Sequence, residues 1–476
     1  MNKMTHSSAS NDFKKNAKIA LNNKELQGAL DLLKGGLVKK RKTTIAQLPE
    51  FEDLREAAKS IKDHTFNNLD FYLEMFEKEA INSGSKVHWA EDGESAKNII
   101  LDLLKSINAK TMTKGKTLIS EEIGLNEFLI KNGIQPIETD LGEYIVQMAQ
   151  ETPSHILAPA IHKTKEQISD LFHKIHKPLG FNKKLNSPSD MVAEAREVLR
   201  EKYLQADAGL TGGNFLVSET GSTVIVTNEG NGDLTQSLPK MHIVLATIDK
   251  IIPTLEDVST VLRVLNPSAT GQEMATYVTF STGPKRKEDL SGPEEFHIVI
   301  LDNGRSDLLG TEKQDVLMCV RCGACMNHCP VYGSVGGHAY GWVYPGPIGA
   351  ALTPALIGIE KSFHLPNASS FCGRCEEVCP MKIPLPKIMR HWRNEEWEKG
   401  MPILRTKIAL SVWKYAVLRP HLYKRVINLF IWLLCLFGGK KGSLKSLPLA
   451  KGWTSVREFP LPEGKSFQSL WKDRAK

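Results

Sequence analysis

Seven of the eight cysteines in this chain fall into two short runs, Cys319-x2-Cys322-x2-Cys325-x3-Cys329-Pro330 and Cys372-x2-Cys375-x3-Cys379-Pro380. This is the ligand spacing of paired cubane iron-sulfur clusters, in which closely spaced thiolates wrap one cluster while a last cysteine, followed by proline, crosses to the other. On that grammar one cluster takes Cys319, Cys322, Cys325 and Cys379, and the second takes Cys329, Cys372 and Cys375. The proline after each last cysteine fixes φ and ends the turn without a backbone donor. The chemistry that follows is one-electron transfer.

The second run is short of one thiolate. Three residues before Cys372, where a complete run would carry cysteine, stands Ser369. The second site is then a three-iron cluster, a four-iron cluster with serine or water on its unique iron, or a cubane completed by a partner, and the spacing does not choose among them. Structural zinc is the plainer alternative, but its thiolate sites pair two separate CxxC knuckles, which three cysteines at consecutive three-residue steps suit poorly. Disulfides fit less well still, since cysteines are few for the length and no secretory signal is seen, which together imply a reducing compartment.

The elements that must position these cysteines follow from periodicity. From about residue 12 to 80 the apolar positions keep a helical rhythm, as in Phe51-x2-Leu54-x2-Ala57-Ala58-x2-Ile61. From Lys86 to about Lys174 short apolar strands alternate with helical stretches. The strands are read at Lys86–Ala90, Ala109–Thr113, Ile134–Thr139 and Ser154–Ala158, and helices near Glu94–Ile107 and Ser120–Lys131, after Asp140 and from Thr164. Such alternation predicts βαβ units and a parallel sheet. Hairpins are expected around Phe215–Thr227, and further sheet strands at His242–Thr247 and His297–Leu301, with a helix from Thr254 to about Leu265. A Gly/Pro-rich segment, Tyr332–Gly349, separates the cysteine runs and reads as a long loop whose amides could donate to cluster sulfurs and whose aromatics could equally be packing. The resulting domains are a helical segment (1–80), an α/β domain (81–305), a cluster domain (306–400) and a basic, aromatic, helical tail (401–476).

At 476 residues the chain is long enough for several cores, and its net charge of +7 is small for that length. Basic runs such as Lys39-Lys40-Arg41-Lys42 and Lys285-Arg286-Lys287 read as solvated faces, so no nucleic-acid partner is expected. The start, Met1–Ser10, lacks a signal-peptide pattern, which predicts a cytoplasmic protein. The apolar stretch Val426–Phe437 falls well short of the ~20 residues that span a bilayer. With its basic neighbours it reads as amphipathic helix, packed on the chain itself, on a partner or at a membrane surface. Cys435, inside that stretch, reads as a buried or partner-facing thiol rather than a ligand.

Outside the cysteines, polar groups gather where loops should meet strand ends: Ser120–Gly124, Thr139–Glu143, Ser154-His155, His162-Lys163 and Ser218–Ser222. Ligands of open α/β sheets bind there, although N-caps and turns explain the same residue types. There is no GxGxxG turn, no phosphate loop, no nucleophile elbow and no HExxH helix, so no flavin or nicotinamide site is visible and the catalytic residues stay unknown.

Cys319-Val-Arg-Cys-Gly-Ala-Cys-Met-Asn-His-Cys-Pro-Val-Tyr332, Gly336–Ala350 and Ser370-Phe-Cys-Gly-Arg-Cys-Glu-Glu-Val-Cys-Pro-Met-Lys-Ile-Pro-Leu-Pro386 closely resemble the lactate utilization protein B family. Upstream, Ser120–Glu127, Thr139–Tyr144 and Ser154–Lys163 resemble that family's LUD domain. The resemblance covers nearly the whole chain. It implies an α/β LUD domain with a mainly parallel sheet, preceded by a helical segment and followed by an α-helical two-cluster, ferredoxin-like domain and a helical C-terminal tail. It also implies two clusters of the [4Fe-4S] kind, the second with three cysteine ligands, in an electron-transfer subunit of a complex that oxidises L-lactate to pyruvate and passes electrons toward the respiratory chain. Its companions would be a cysteine-rich subunit and a second, smaller LUD subunit, in the cytoplasm or at the inner face of the membrane. The alternative makes the LUD domain the catalytic or ligand-sensing unit for a 2-hydroxy acid or CoA ester, with the clusters in support.

Overall fold

A computed structural model describes residues 10–115, 117–438, 442–447, 451–454 and 457–474, so the start of the chain, residues 1–9, lies outside what is described. The chain packs into two compact units, Met1–Glu396 and Trp397–Lys476.

The first unit is built on strands β1 (Lys86–Ala90), β2 (Thr111–Gly115), β3 (Gln135–Glu138), β4 (Ala208–Gly212), β5 (Phe215–Val217), β6 (Ser222–Thr227), β7 (Met241–Thr247), β8 (Ile251–Ile252), β9 (Tyr277–Ser281) and β10 (Glu295–Leu301). Six of them form a wholly parallel sheet in the order β1-β10-β7-β4-β2-β3. A smaller sheet, β8-β5-β6-β9, joins the hairpin β5–β6 to its neighbours. Helices are the natural cover for a parallel sheet. Ala96, Ile100, Leu101 and Leu104 of the helix Gly93–Ser106 sit at helical spacing and bury against Met112, Leu210, Ile243 and Val299 of the strands. The helix Leu255–Ala269 starts on a capping box between Thr254 and Asp257 and buries Val258, Val261, Leu262 and Leu265.

Several sequence expectations need correction. Ser154–Ala158 is not a strand: the His155 ring nitrogen Nδ1 accepts the amides of Leu157 and Ala158 at 3.0 Å each, and this bends the chain into a compact turn. The helix read across Ser120–Lys131 is two, Leu118–Ile123 and Leu125–Lys131, divided at Gly124, whose φ of 69° is left-handed. Tyr332–Gly349 is not a plain loop but a series of short helices, Tyr332–Val335, His338–Tyr340 and the start of Gly346–Ile357.

The second unit carries two successive helices, Leu404–Val417 and Pro420–Gly438. The apolar stretch Val426–Phe437 is only part of the latter, which at 19 residues is long and apolar enough, by length and composition, to cross a membrane. The length expected from the sequence is corrected on that point. Cys435 is partly buried there, its thiol against the carbonyl of Pro462 at 3.4 Å.

Candidate iron-sulfur site and the cavity beside it

The two cysteine runs fold as near copies. In each, a residue with left-handed backbone precedes a cysteine, Arg321 (φ 59°) before Cys322 and Phe371 (φ 56°) before Cys372. A glycine follows, Gly323 (φ 74°) or Gly373 (φ 80°), and opens a four-residue helix, Ala324–Asn327 or Arg374–Glu377. The sharp reversal aims successive sulfurs inward. Cys319, Cys322, Cys325 and Cys379 line one small cavity. Cys329, Cys372 and Cys375 line another, together with Ser369.

Ser369 has the local geometry of Cys319. The amide of Arg321 donates to Cys319 Sγ at 3.4 Å, and the amide of Phe371 donates to Ser369 Oγ at 3.1 Å. Amide donors to the sulfurs come from the first cysteine run, at Arg321, and from the first residue of the segment between the runs, whose Tyr332 amide meets Cys329 Sγ at 3.5 Å. The segment between the runs also contributes tyrosine side chains. Tyr332 donates its hydroxyl to the Ser154 carbonyl at 2.8 Å, and Tyr344 donates to Glu122.

The donor set fits a cluster. Burial, and then the neighbouring thiols, push Cys322 and Cys325 well up, Cys375 to about 12 and Cys379 to about 11. Several sulfurs crowded together out of water cannot ionise unaided. A bound cationic core relieves the repulsion, and a coordinating thiol is deprotonated outright.

Cationic side chains converge on the first cavity. Arg55 Nη2 donates to the Cys379 carbonyl at 2.6 Å and to the Glu377 carbonyl at 3.1 Å, and Arg41 donates to the Val378 carbonyl at 2.9 Å. Arg41 was expected on a solvated face; it is instead half-buried, with its charge acting on Cys322 and Cys379. Lys250 points at the Cys319 carbonyl at 3.4 Å, and Arg321 lies over the Tyr344 ring. Beneath them Arg305, fully buried, donates to Glu122 at 2.7 and 3.0 Å and to Asp249 at 3.1 Å. Such a buried network is stable only when fully paired. It ties the carboxyl ends of β7 and β10 to the segment between the cysteine runs.

The other polar candidates divide. Asp140 caps the helix Leu141–Ala149 and lines a larger cavity of about 380 Å³. His155 donates from Nε2 to Asn327 Oδ1 at 2.9 Å, and burial holds it neutral with its pKa lowered to about 4. Ser120 receives the buried Lys114. His162 and Lys163 both pair with Glu151. Ser218 and Ser222 belong to the hairpin of the small sheet and line none of these cavities. The sequence reading missed Asn214, Thr227 and Asn266, which line the 380 Å³ cavity. A polar residue inside Val264-Leu-Asn-Pro267 was the one signal for Asn266.

Three family models match the chain: LUD domain over residues 73–301, 4Fe-4S dicluster domain over 315–383, and Lactate utilisation protein B, C-terminal, over 403–476. Lactate utilization protein B of Bacillus velezensis is 41% identical over 466 residues, covering 98% of this chain and 97% of the relative. The chain belongs to the lactate utilization protein B family. The Bacillus subtilis member is 40% identical over 464 residues (97% of this chain, 96% of the relative), and the Shouchella clausii member 44% over 432 (90% of each). Family membership and the dicluster match make the cysteine-lined cavities those of an iron-sulfur domain. A crystal structure of a DUF162 family protein from Deinococcus radiodurans, 15% identical, covers 49% of this chain and 98% of its own at a TM-score of 0.27, too low to carry a comparison.

Proposed function

We propose that this chain is the iron-sulfur electron-transfer subunit of a complex that oxidises L-lactate to pyruvate. The observation that supports it most is the sorting of seven cysteines into two cavities, four in one and three with Ser369 in the other. On this reading Cys319, Cys322, Cys325 and Cys379 hold one [4Fe-4S] cluster. Cys329, Cys372 and Cys375 hold the second, with Ser369 Oγ at its fourth corner.

Lactate loses two electrons and two protons on becoming pyruvate, and clusters pass electrons singly, so a pair of clusters matches a two-electron donor to a respiratory acceptor. This chain's residues set the surroundings: Arg41, Arg55, Arg321 and Lys250 offset the charge of the first cluster, and backbone amides donate to sulfurs. The names of the relatives support lactate as the metabolite and a lactate utilization system as the setting; the partners proposed within it are a cysteine-rich subunit and a second LUD subunit. A cytoplasmic location at the inner membrane face accords with exposed Trp413, Leu418, Phe430 and Trp432 beside Lys414, Arg419, Lys424 and Arg425 in the second unit.

The test is EPR of anaerobically purified protein, before and after dithionite, with iron quantified. Two interacting reduced clusters are expected, and Cys322→Ala should abolish lactate oxidation by the assembled complex. Intact oxidation in that variant would end the reading.

A further inference from the structure

The 380 Å³ cavity shares a wall with the first cluster site, because Val320 and Cys322 line both. It opens past the carboxyl ends of β3 and β4, from which Asp140 and Asn214 reach its wall, the place where parallel sheets bind ligands. Its volume is that of a small-molecule site. Most of its polar residues are already engaged: Asp140 caps a helix, Asn214 accepts the Val226 amide, and Asn228 and Gln272 bond each other.

Three lining residues, Arg321 among them although it stacks on Tyr344, each keep one polar atom outside any hydrogen bond between described residues. Asn266 Nδ2, Thr227 Oγ1 and Arg321 Nη1 are buried polar atoms without a hydrogen-bond partner among the described residues. Asn266 is only 4% exposed and Thr227 3%, so water outside the cavity does not serve them. Each such group in a native interior calls for a partner, which a bound ligand, ion or water in the cavity supplies. Two of the three are N–H donors, one on a guanidinium, and the third is a hydroxyl. That set calls for an oxygen-rich anion. Leu141, Ile145, Leu157 and Leu265 give the rest of the wall an apolar character suited to a short carbon skeleton.

We infer that this cavity binds a small organic carboxylate of the 2-hydroxy or 2-oxo acid class, held by Asn266, Thr227 and Arg321 one side chain away from the first cluster. The inference rests on the proposed lactate reading only for the choice of acid. It places the ligand in this subunit, at the junction of the LUD sheet and the cluster domain.

Calorimetric titration of the full, cluster-loaded chain with L-lactate and with pyruvate, under anaerobic conditions, tests it. Saturable binding of at least one acid in the micromolar to millimolar range is expected. Asn266→Leu and the near-isosteric Thr227→Val should each weaken it about tenfold or more, as loss of a hydrogen bond to a charged group implies. Should the first variant fail to fold, Asn266→Asp keeps the shape and sets a negative charge against the anion. Absence of binding at millimolar acid, or binding indifferent to Thr227→Val and to both Asn266 variants, overturns the inference. Iron content and EPR after dithionite on the same samples separate the two ideas: no binding to protein with reduced-cluster signals removes the acid site and leaves the relay, whereas binding to protein whose clusters dithionite does not reduce removes the relay and supports the site.

Discussion

The two cysteine cavities share a backbone plan yet sit in different surroundings. The four-cysteine cavity is walled by Ile156, Val320, Ile348, Met381, Ile383 and Leu385, with Arg41, Arg55, Arg321 and Lys250 around it. In the three-cysteine cavity Cys372 is exposed and Ser369 replaces a thiol, while Arg393 donates to the Ser369 carbonyl at 3.2 Å and lies with Arg390 over the Phe371 ring. Positive surroundings favour the reduced, more negative state of a cluster, and access to solvent and partners favours exchange of electrons with another protein. On the electron-transfer function proposed above, the contrast that matters is exposure: the three-cysteine site is the one open to a partner, and the four-cysteine site is the enclosed one.

The largest expected effect concerns Ser369. If its oxygen completes the second cluster, Ser369→Ala should release about one iron from that site and give an oxidised three-iron EPR signal, while the first cluster's signal stays unchanged. Ser369→Cys should keep full iron content. An unaltered spectrum in Ser369→Ala would erase the chemical half of the contrast and leave only exposure to distinguish the sites.

A smaller effect is expected from the cations. Arg55→Met removes a positive charge and two hydrogen bonds from the Cys379 carbonyl. Reduction of the first cluster then becomes harder, so its potential should fall by tens of millivolts, about 59 mV being a tenfold change for one electron. Redox-poised EPR titration resolves this, and the second cluster should not move. An equal shift at both clusters would show that the arginine charge is not local to one of them.

These contrasts were unevenly legible in the sequence. The cysteine sets were readable because cluster ligation is written in local spacing. So were the strands β7 and β10, whose apolar runs are buried on both faces. The central strand β4, Ala-Gly-Leu-Thr-Gly, escaped notice because it lacks a run of β-branched residues. Its Gly209 is there for another reason: a Cβ would lie 1.9 Å from the Thr235 carbonyl oxygen, so the helix Asn231–Ser237 can approach the sheet only over a bare backbone. The helix Pro188–Leu204 was passed over as well, though Ser187 caps it and proline opens it. Arg41 looked like one more surface cation. Its target, Val378, is far away in sequence, and no local pattern announces such a pairing.

The mildest expected effect tests whether the sheet behind the interior site is the acid-sensitive part. His242 on β7 is fully buried against Thr211 Oγ1 at 2.8 Å, and burial lowers its pKa to about 3; His297 on β10 is lowered to about 4 by burial. β7 leads directly to Asp249 and Lys250, which hold Arg305 and face the Cys319 carbonyl. Each histidine has a folded-state pKa below its unfolded value of about 6.5, so the unfolded chain binds the extra proton. The stability they confer is fully present above pH 6.5 and declines as pH falls through the window toward 4. Urea unfolding of wild type and His242→Gln, compared between pH 7.5 and 5, isolates this from acid loss of the clusters, because both proteins share that loss. Glutamine can keep the bond to Thr211 without titrating, so the variant's midpoint should fall less steeply with acid than the wild type's. Parallel slopes would mean that His242 takes up no proton on unfolding, and that acid reaches the interior site by a route other than β7.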